Sequence, residues 1–241
     1  MRKRGFTAFP KEALDFLRSL KRHNNRDWFH QHKAAYEQYV KQPMLELIAA
    51  LAEDFQQFAP EMVASPKVSP YRIYRDTRFS KDKSPYKTHL AASFPRSGMA
   101  RHEGAGFYLH IAPSELLIGG GLYSPLPEDL NAVRQRIADD PMSFQKIVNR
   151  KQFRRLFGNL EGERLSRVPR GYAPDHPGAG YLKYKQFLVM RTFPAEQATE
   201  PSFYPMVIET FRGMLPLVRF LNEPILAAQR IRERQGSLLG G

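Results

Sequence analysis

The spacing of apolar residues first changes period near residue 70, and that switch does most to decide what this chain can fold into. Before it, apolar residues recur at intervals of three and four. Leu14, Phe16, Leu17 and Leu20 mark a helix over residues 10–22, with Pro10 suited to its first turn. His23-Asn24-Asn25 breaks it, and Asn25 is placed to cap a second helix over 26–40. Asp27 sits at that helix's positive end, and Trp28, Phe29, Tyr36 and Tyr39 supply its buried stripe. Pro43 opens a third helix to about residue 58, with Leu45, Ile48, Leu51 and Phe55 inward. Residues 59–70 hold three prolines and no periodicity, which marks a connection.

From residue 71 the period is two. Residues 71–76 alternate, as do 87–94, where Thr88, Leu90, Ala92 and Phe94 share a face, and 106–112, where Phe107, Leu109 and Ile111 point inward. A turn at 112–114 pairs that strand with 115–123 as a hairpin. Gly119-Gly120-Gly121 inside the second arm leaves room for another backbone or a ligand. Helical spacing returns at 127–138, 141–149 and 151–157, followed by a basic irregular stretch at 162–171 with an extended piece at 165–168. Asp175-His176-Pro177 resembles a helix start leading to Tyr184, and 187–192 reads as a central strand. A last helix spans 201–221, which Pro216 and Pro224 should kink or end, and the tail after Gly236 should fray. Helices, a block of strands, then helices with one late strand predict an α+β fold. The expectation is one domain over 1–241, with a largely antiparallel sheet of about five or six strands packed by N-terminal and C-terminal helices.

Charge narrows the partners. The net charge is +13, and it is clustered: residues 67–101 hold nine Lys/Arg against two acids, and residues 150–170 hold seven against two. A clustered basic surface points to phosphate or polyanion partners. No apolar run is long enough to span a bilayer. The basic start at residues 1–4 lacks the apolar segment of a signal peptide, so the cytoplasm is the expected location. The absence of cysteine excludes disulfides, thiolate nucleophiles and cysteine-ligated metals.

The densest cluster is KVSPYRIYRDTRFSKDKSPYKT, residues 67–88. It mixes seven cations and two acids with Tyr71, Tyr74, Phe79 and Tyr86. Guanidinium forks and ammonium points suit phosphate and carboxylate oxygens. Arg72, Arg75, Arg78, Lys81, Lys83 and Lys87, with Ser80 and Thr88 as hydroxyl donors and Arg191 at the end of the late strand, are therefore the candidate ligand-binding residues. The alternative is a solvated loop in which Asp76 and Asp82 pair with their neighbours. Seven cations exceed what two acids can neutralise, which favours the anion site. No Walker loop occurs here.

Asn24-Asn25-Arg26-Asp27-Trp28-Phe29 together with the run from Arg72 to Thr88 resembles a bacterial and fungal family known as a domain of unknown function. Tyr108-Leu109-His110-Ile111 ahead of the glycine run, and Arg167-Val168-Pro169-Arg170-Gly171-Tyr172 with Asp175-His176-Pro177, resemble it as well. The likeness extends over roughly residues 6–222. It implies a single α+β domain and no activity.

With Leu109 and Ile111 inward, His89, Tyr108 and His110 point to the other sheet face. Asp76 and several arginines could join them in a group able to do acid–base work, so His89, His110, Tyr108 and Asp76 are the candidate catalytic residues. Metal binding is not expected: His30 and His32 are two apart, and no H-x-x-x-H or H-E-x-x-H occurs. No cofactor is implied, nor a nucleophilic triad. Three functions compete. The first is binding of a phosphate-containing ligand, nucleic acid or nucleotide. The second is an enzyme acting on a small phosphorylated or carboxylated substrate. The third is a scaffold whose basic face meets an acidic protein.

Overall fold

Regular amphipathic spacing produces the first helix where it is expected. The computed structural model describes residues 5–101 and 103–239, and α1 (Lys11–Arg22) starts directly after Pro10, burying Leu14, Phe16, Leu17 and Leu20. Asn25 caps α2 (Arg26–Gln31), its side-chain oxygen accepting from the Trp28 N–H at 2.9 Å. The helix does not continue uniformly to residue 40. His32 interrupts it, α3 (Lys33–Ala35) is a single turn, and a π-helical segment (Tyr36–Lys41) runs directly into α4 (Gln42–Phe58). Pro43 has no N–H to donate, and in a regular α-helix its ring crowds the carbonyl four residues back. That carbonyl belongs to Tyr39, inside the widened π turn that accommodates it. The buried face of α4 is Met44, Leu47, Ile48, Leu51 and Phe55, while Leu45 is only half-buried. Of the stripe expected on the second helix, Phe29 is buried and Trp28, Tyr36 and Tyr39 are half-buried.

The fold class is α+β. Among the described residues the sheet has four strands rather than five or six: β1 (Leu90–Phe94), β2 (Gly106–Ile111), β3 (Glu115–Leu122) and β4 (Phe187–Pro194), antiparallel in that order. Residues 71–76 do not form a strand. They lie along the chain that follows them through isolated bridges, Pro70 to Ala92 and Tyr74 to Tyr86. Tyr71 N–H donates to Ala91 O (2.9 Å) and Arg75 N–H to Pro85 O (2.9 Å). The opposite chain reciprocates with Ser93 N–H to Ser69 O (2.9 Å) and Lys87 N–H to Ile73 O (2.7 Å). The two bridges are nevertheless out of register (70 with 92, 74 with 86), and Pro85 has no N–H to return the bond from Arg75, so no continuous ladder forms. β1 starts at Leu90 and is buried on both faces, not on one. β2 alternates as expected, with Phe107, Leu109 and Ile111 buried. The late strand is at the sheet edge rather than its centre, and its outer side exchanges two hydrogen bonds with Glu161 (2.8 and 3.0 Å). The extended piece expected at 165–168 amounts to a bridge from Arg164 to Tyr184.

The helices after β3 are α5 (Pro127–Asp139), α6 (Pro141–Val148), α7 (Lys151–Phe157) and α8 (Ala179–Leu182). The last, α9 (Phe203–Leu239), continues through Pro216 and Pro224 instead of ending near 221. Each proline removes a helical hydrogen bond. Met214, Leu217, Val218, Leu221 and Ile225 are buried across both positions, and that burial holds the helix together. The backbone is helical through the part of the tail expected to fray up to Leu239; residues 240 and 241, like the basic start at 1–4, lie outside the described residues. Among the described residues no helix is long and apolar enough to cross a membrane.

The residues group into two compact units. The first holds residues up to 97 with 108–118 and 191–209, and the second holds the rest. The first has its core around Leu17, Leu47, Ile48, Phe55 and Phe94, with Phe94 edge-on to Phe55 at 5.6 Å. The second is built on Phe107 stacked against Phe211 at 4.6 Å, and on Phe144 and Phe187. The glycine run serves packing. A Cβ on Gly120 would lie 2.3 Å from the Gly106 carbonyl oxygen, and one on Gly119 would lie 2.6 Å from that of Val189. The room these glycines leave is filled by neighbouring strand backbone and not by a ligand.

Candidate functional site

The two sequence segments richest in polar and aromatic residues meet in the first unit. Asn24 pairs with the backbone of Tyr86 like a peptide group: its side-chain N–H donates to Tyr86 O at 2.9 Å and its oxygen accepts from Tyr86 N–H at 3.1 Å. Phe29 then stacks on the Tyr86 ring, centroids 4.1 Å apart and 19° from parallel. Tyr74 leans on Tyr86 at 5.5 Å and stays 54% exposed.

This docking leaves a cleft of about 520 Å³ between the α2–α3 region and residues 74–86. Arg26, Asp27, His30 and Lys33 line one side, and Tyr74, Arg75 and Thr77 the other, with the Phe29–Tyr86 pair between them in the lining. Arg26 and His30 are four apart on α2, which puts them on one side of it, and Lys33 follows at the start of α3. Arg26, Lys33 and Arg75 line the cleft with one acid, Asp27; Arg75 is ion-paired with Asp82, so Arg26 and Lys33 carry the positive excess. Burial pushes the Tyr86 hydroxyl above its ordinary pKa, with the nearby charge of Arg26 opposing that shift.

Arg75 and three of the motif's six other cations are engaged within the motif. Arg78 grips both oxygens of Asp76, Nε to Oδ1 at 3.0 Å and Nη2 to Oδ2 at 2.7 Å. Those bonds hold the Asp76 carboxyl down at about 2. Arg75 pairs with Asp82 and lies 3.4 Å from Ser80 Oγ. Hydrogen bonds from Ser84 and then Arg75 depress the Asp82 carboxyl as well. Lys83 Nζ donates to the Thr77 carbonyl at 2.9 Å, and Lys87 Nζ lies 5.2 Å from the Tyr71 ring centroid. Arg72 and Lys81 are exposed, and Thr88 is half-buried. Arg191 lies on β4 against Glu209 (3.4 Å) and the ring of Phe193 (4.9 Å). Of the candidate ligand-binding residues, Arg75 is therefore the one that lines the cleft. The basic window at 150–170 belongs to the second unit.

The sheet-face group is also in the first unit. Tyr108 Oη lies 3.2 Å from His110 Nδ1, and His110 Nε2 lies 3.3 Å from the Glu115 carboxylate. The His89 ring is 5.5 Å from that of His110. Burial lowers the His89 pKa, and the charges of His110 and Lys87 add to it. Tyr71 covers the group edge-on to Tyr108 at 6.2 Å. Three of the four candidate catalytic residues are thus adjacent. The fourth, Asp76, directs its hydrogen bonds to Arg78. Glu115 joins the group although reading the sequence passed it over; its place five residues after His110, across the hairpin turn, was the available signal. From the sequence, Arg26 belongs to an asparagine corner that capping explains, His30 is considered only as a metal ligand, and Lys33 is not a candidate.

A family model described as a conserved hypothetical protein (DUF2461) matches residues 12–220. No curated protein matches the chain.

Proposed function

The chain belongs to this DUF2461 family of conserved hypothetical proteins, and from the geometry of its cleft we propose that it binds a phosphate-containing ligand, a nucleotide or nucleic acid. The observation that carries this is the grouping of Arg26, Lys33 and Arg75 against one acid in a cleft of about 520 Å³ whose remaining lining is largely aromatic. Arginine and lysine supply charge-assisted hydrogen bonds to phosphate oxygens, and tyrosine and phenylalanine faces accept a base. The volume is in the range that small ligands occupy. The ion pairs of Asp76 and Asp82 support the reading by holding one wall in place.

The test uses the single tryptophan, Trp28 on α2, as reporter. Emission is followed while ATP, inorganic pyrophosphate or adenosine is added at about 50 and 200 mM salt, concentrations between which phosphate contacts weaken measurably. Saturable binding of the phosphorylated compounds, weaker at the higher salt and lost in Lys33→Glu, is expected. Failure of every phosphorylated probe to bind, checked by calorimetry at the lower salt, refutes the proposal.

The hydrogen-bonded row Tyr108–His110–Glu115 favours a second reading, an enzyme acting on a small phosphorylated or carboxylated substrate. Glu115 accepting from His110 Nε2–H leaves Nδ1 free to take the Tyr108 proton, a general-base arrangement. Turnover of simple phosphate or carboxylate esters that disappears in both His110→Ala and Tyr108→Phe is expected; turnover unaffected by either change removes this reading.

A further inference from the structure

Phe79 is 95% exposed at the tip of the loop that forms one wall of the cleft. Single apolar side chains on a surface are ordinary; this one is displayed differently. The loop beneath it is tied at four points: Arg78 to Asp76, Arg75 to Asp82, Lys83 Nζ to Thr77 O, and Ser84 N–H to Asp82. The ring is therefore carried by a loop tied across itself, with the Arg78 guanidinium 5.8 Å from its centroid. Thr77 lines the cleft, and two residues of chain place the Phe79 Cα within about 7 Å of the Thr77 Cα.

We infer that the ligand of this cleft is single-stranded nucleic acid, with one base held against Tyr74 and the next stacked on Phe79 outside. This rests on the phosphate-binding reading above. The cleft and loop tip alternate what such a strand alternates: an aromatic face (Tyr74), guanidinium groups (Arg75 and Arg78, each ion-paired to an aspartate of the loop), then a second aromatic face (Phe79). A mononucleotide has no use for the outer ring, and a duplex hides the base faces that the rings would contact. A membrane would also accept an exposed phenylalanine among cations, but one apolar side chain is a weak anchor, and a cleft set back from the loop tip adds nothing to it.

The experiment compares wild type, Phe79→Ala, Phe79→Trp and Lys33→Glu. Fluorescence anisotropy measures a labelled oligothymidylate of about ten nucleotides, a length within the usual footprint of single-strand binders. Thymidine diphosphate, the corresponding duplex, and vesicles containing phosphatidylserine are measured alongside. Phe79→Ala is expected to weaken the oligonucleotide about 5- to 150-fold, the value of one stacked base, and to leave the mononucleotide unchanged. Phe79→Trp keeps the affinity, and Lys33→Glu loses both ligands. Oligonucleotide binding untouched by Phe79→Ala but lost in Lys33→Glu overturns the single-strand inference and leaves phosphate binding standing. Duplex bound as tightly as single strand, or a Phe79 effect seen with vesicles alone, overturns it too. Wild type that binds no phosphorylated probe overturns both.

Discussion

Replacing Asn24 with alanine removes the two hydrogen bonds, 2.9 and 3.1 Å, that tie the α1–α2 corner to Tyr86. Nothing else about the corner changes, because the α2 cap is made by Asn25. The Tyr86 N–H and carbonyl are left without these partners, and an unsatisfied buried group costs about 1–3 kcal/mol. Tyr86 is buried but Asn24 is half-buried, so water reaches part of the vacated site and the low end applies, for a total of about 2 kcal/mol. In a chain of this size that is a melting-point loss of about 4–8 °C. Asn25→Ala, which deletes only a helix cap, should cost about 1 kcal/mol. Trp28 lies between the two contacts in sequence and stacks on His32 at 4.1 Å, so its emission during urea unfolding reports this unit in particular. The alanine variant should also lose ligand affinity, since the corner positions Arg26 and Lys33 against Arg75. A loss under about 0.5 kcal/mol for Asn24→Ala, or one smaller than that for Asn25→Ala, would refute the argument that this residue docks one wall of the cleft on the other.

Gly121→Ala should prevent folding or cost more than about 3 kcal/mol, because the residue has φ +117° and a Cβ would lie 2.0 Å from the Phe187 carbonyl oxygen. Gly180→Ala, with open space around it in α8, should be neutral or stabilise by a few tenths of a kcal/mol up to about 1 kcal/mol; thermal melts of both check the contrast. The pKa of His89 is lowered, so between an ordinary histidine value near 6.5 and its own lower one the unfolded chain holds a proton that the folded chain does not. Stability should therefore fall as pH drops below about 6.5 and level off beneath the folded pKa, and His89→Gln should flatten that slope in urea midpoints taken from pH 7.5 to 5. The Asp76 carboxyl, held at about 2 by Arg78, should titrate there by NMR and move up toward the ordinary value near 3.9 in Arg78→Ala. The stability this pair contributes is complete above about pH 4 and is lost as pH falls through the folded value.

The fold was legible where local rules act alone. α1, α5, α6 and α7 follow amphipathic spacing and end where capping chemistry ends them, and the alternation of Phe107, Leu109 and Ile111 survives unaltered in β2. It was not legible where a distant partner decides. Residues 71–76 have strand spacing, yet the bridges at 70 and 74 are out of register and Pro85 cannot donate, and alternation reports neither. Pro216 and Pro224 would end an exposed helix, but burial of Leu217, Leu221 and Ile225 outweighs two missing hydrogen bonds. The candidate site divides in the same way. The concentration of cations in residues 67–88 was evident, while their distribution was not: Asp76 and Asp82 each recruit an arginine, and Arg26 and Lys33 enter the cleft only through the pairing of Asn24 with Tyr86, a contact between residues 62 apart in sequence.

The most direct measurement for the central claim is a crystal structure of the wild-type chain grown with a nucleoside diphosphate at low salt. Phosphate density within hydrogen-bonding distance of Arg26, Lys33 and Arg75, with the base against Tyr74, is the result the cleft geometry requires. Phosphate bound only elsewhere, with the cleft holding solvent alone, would contradict it.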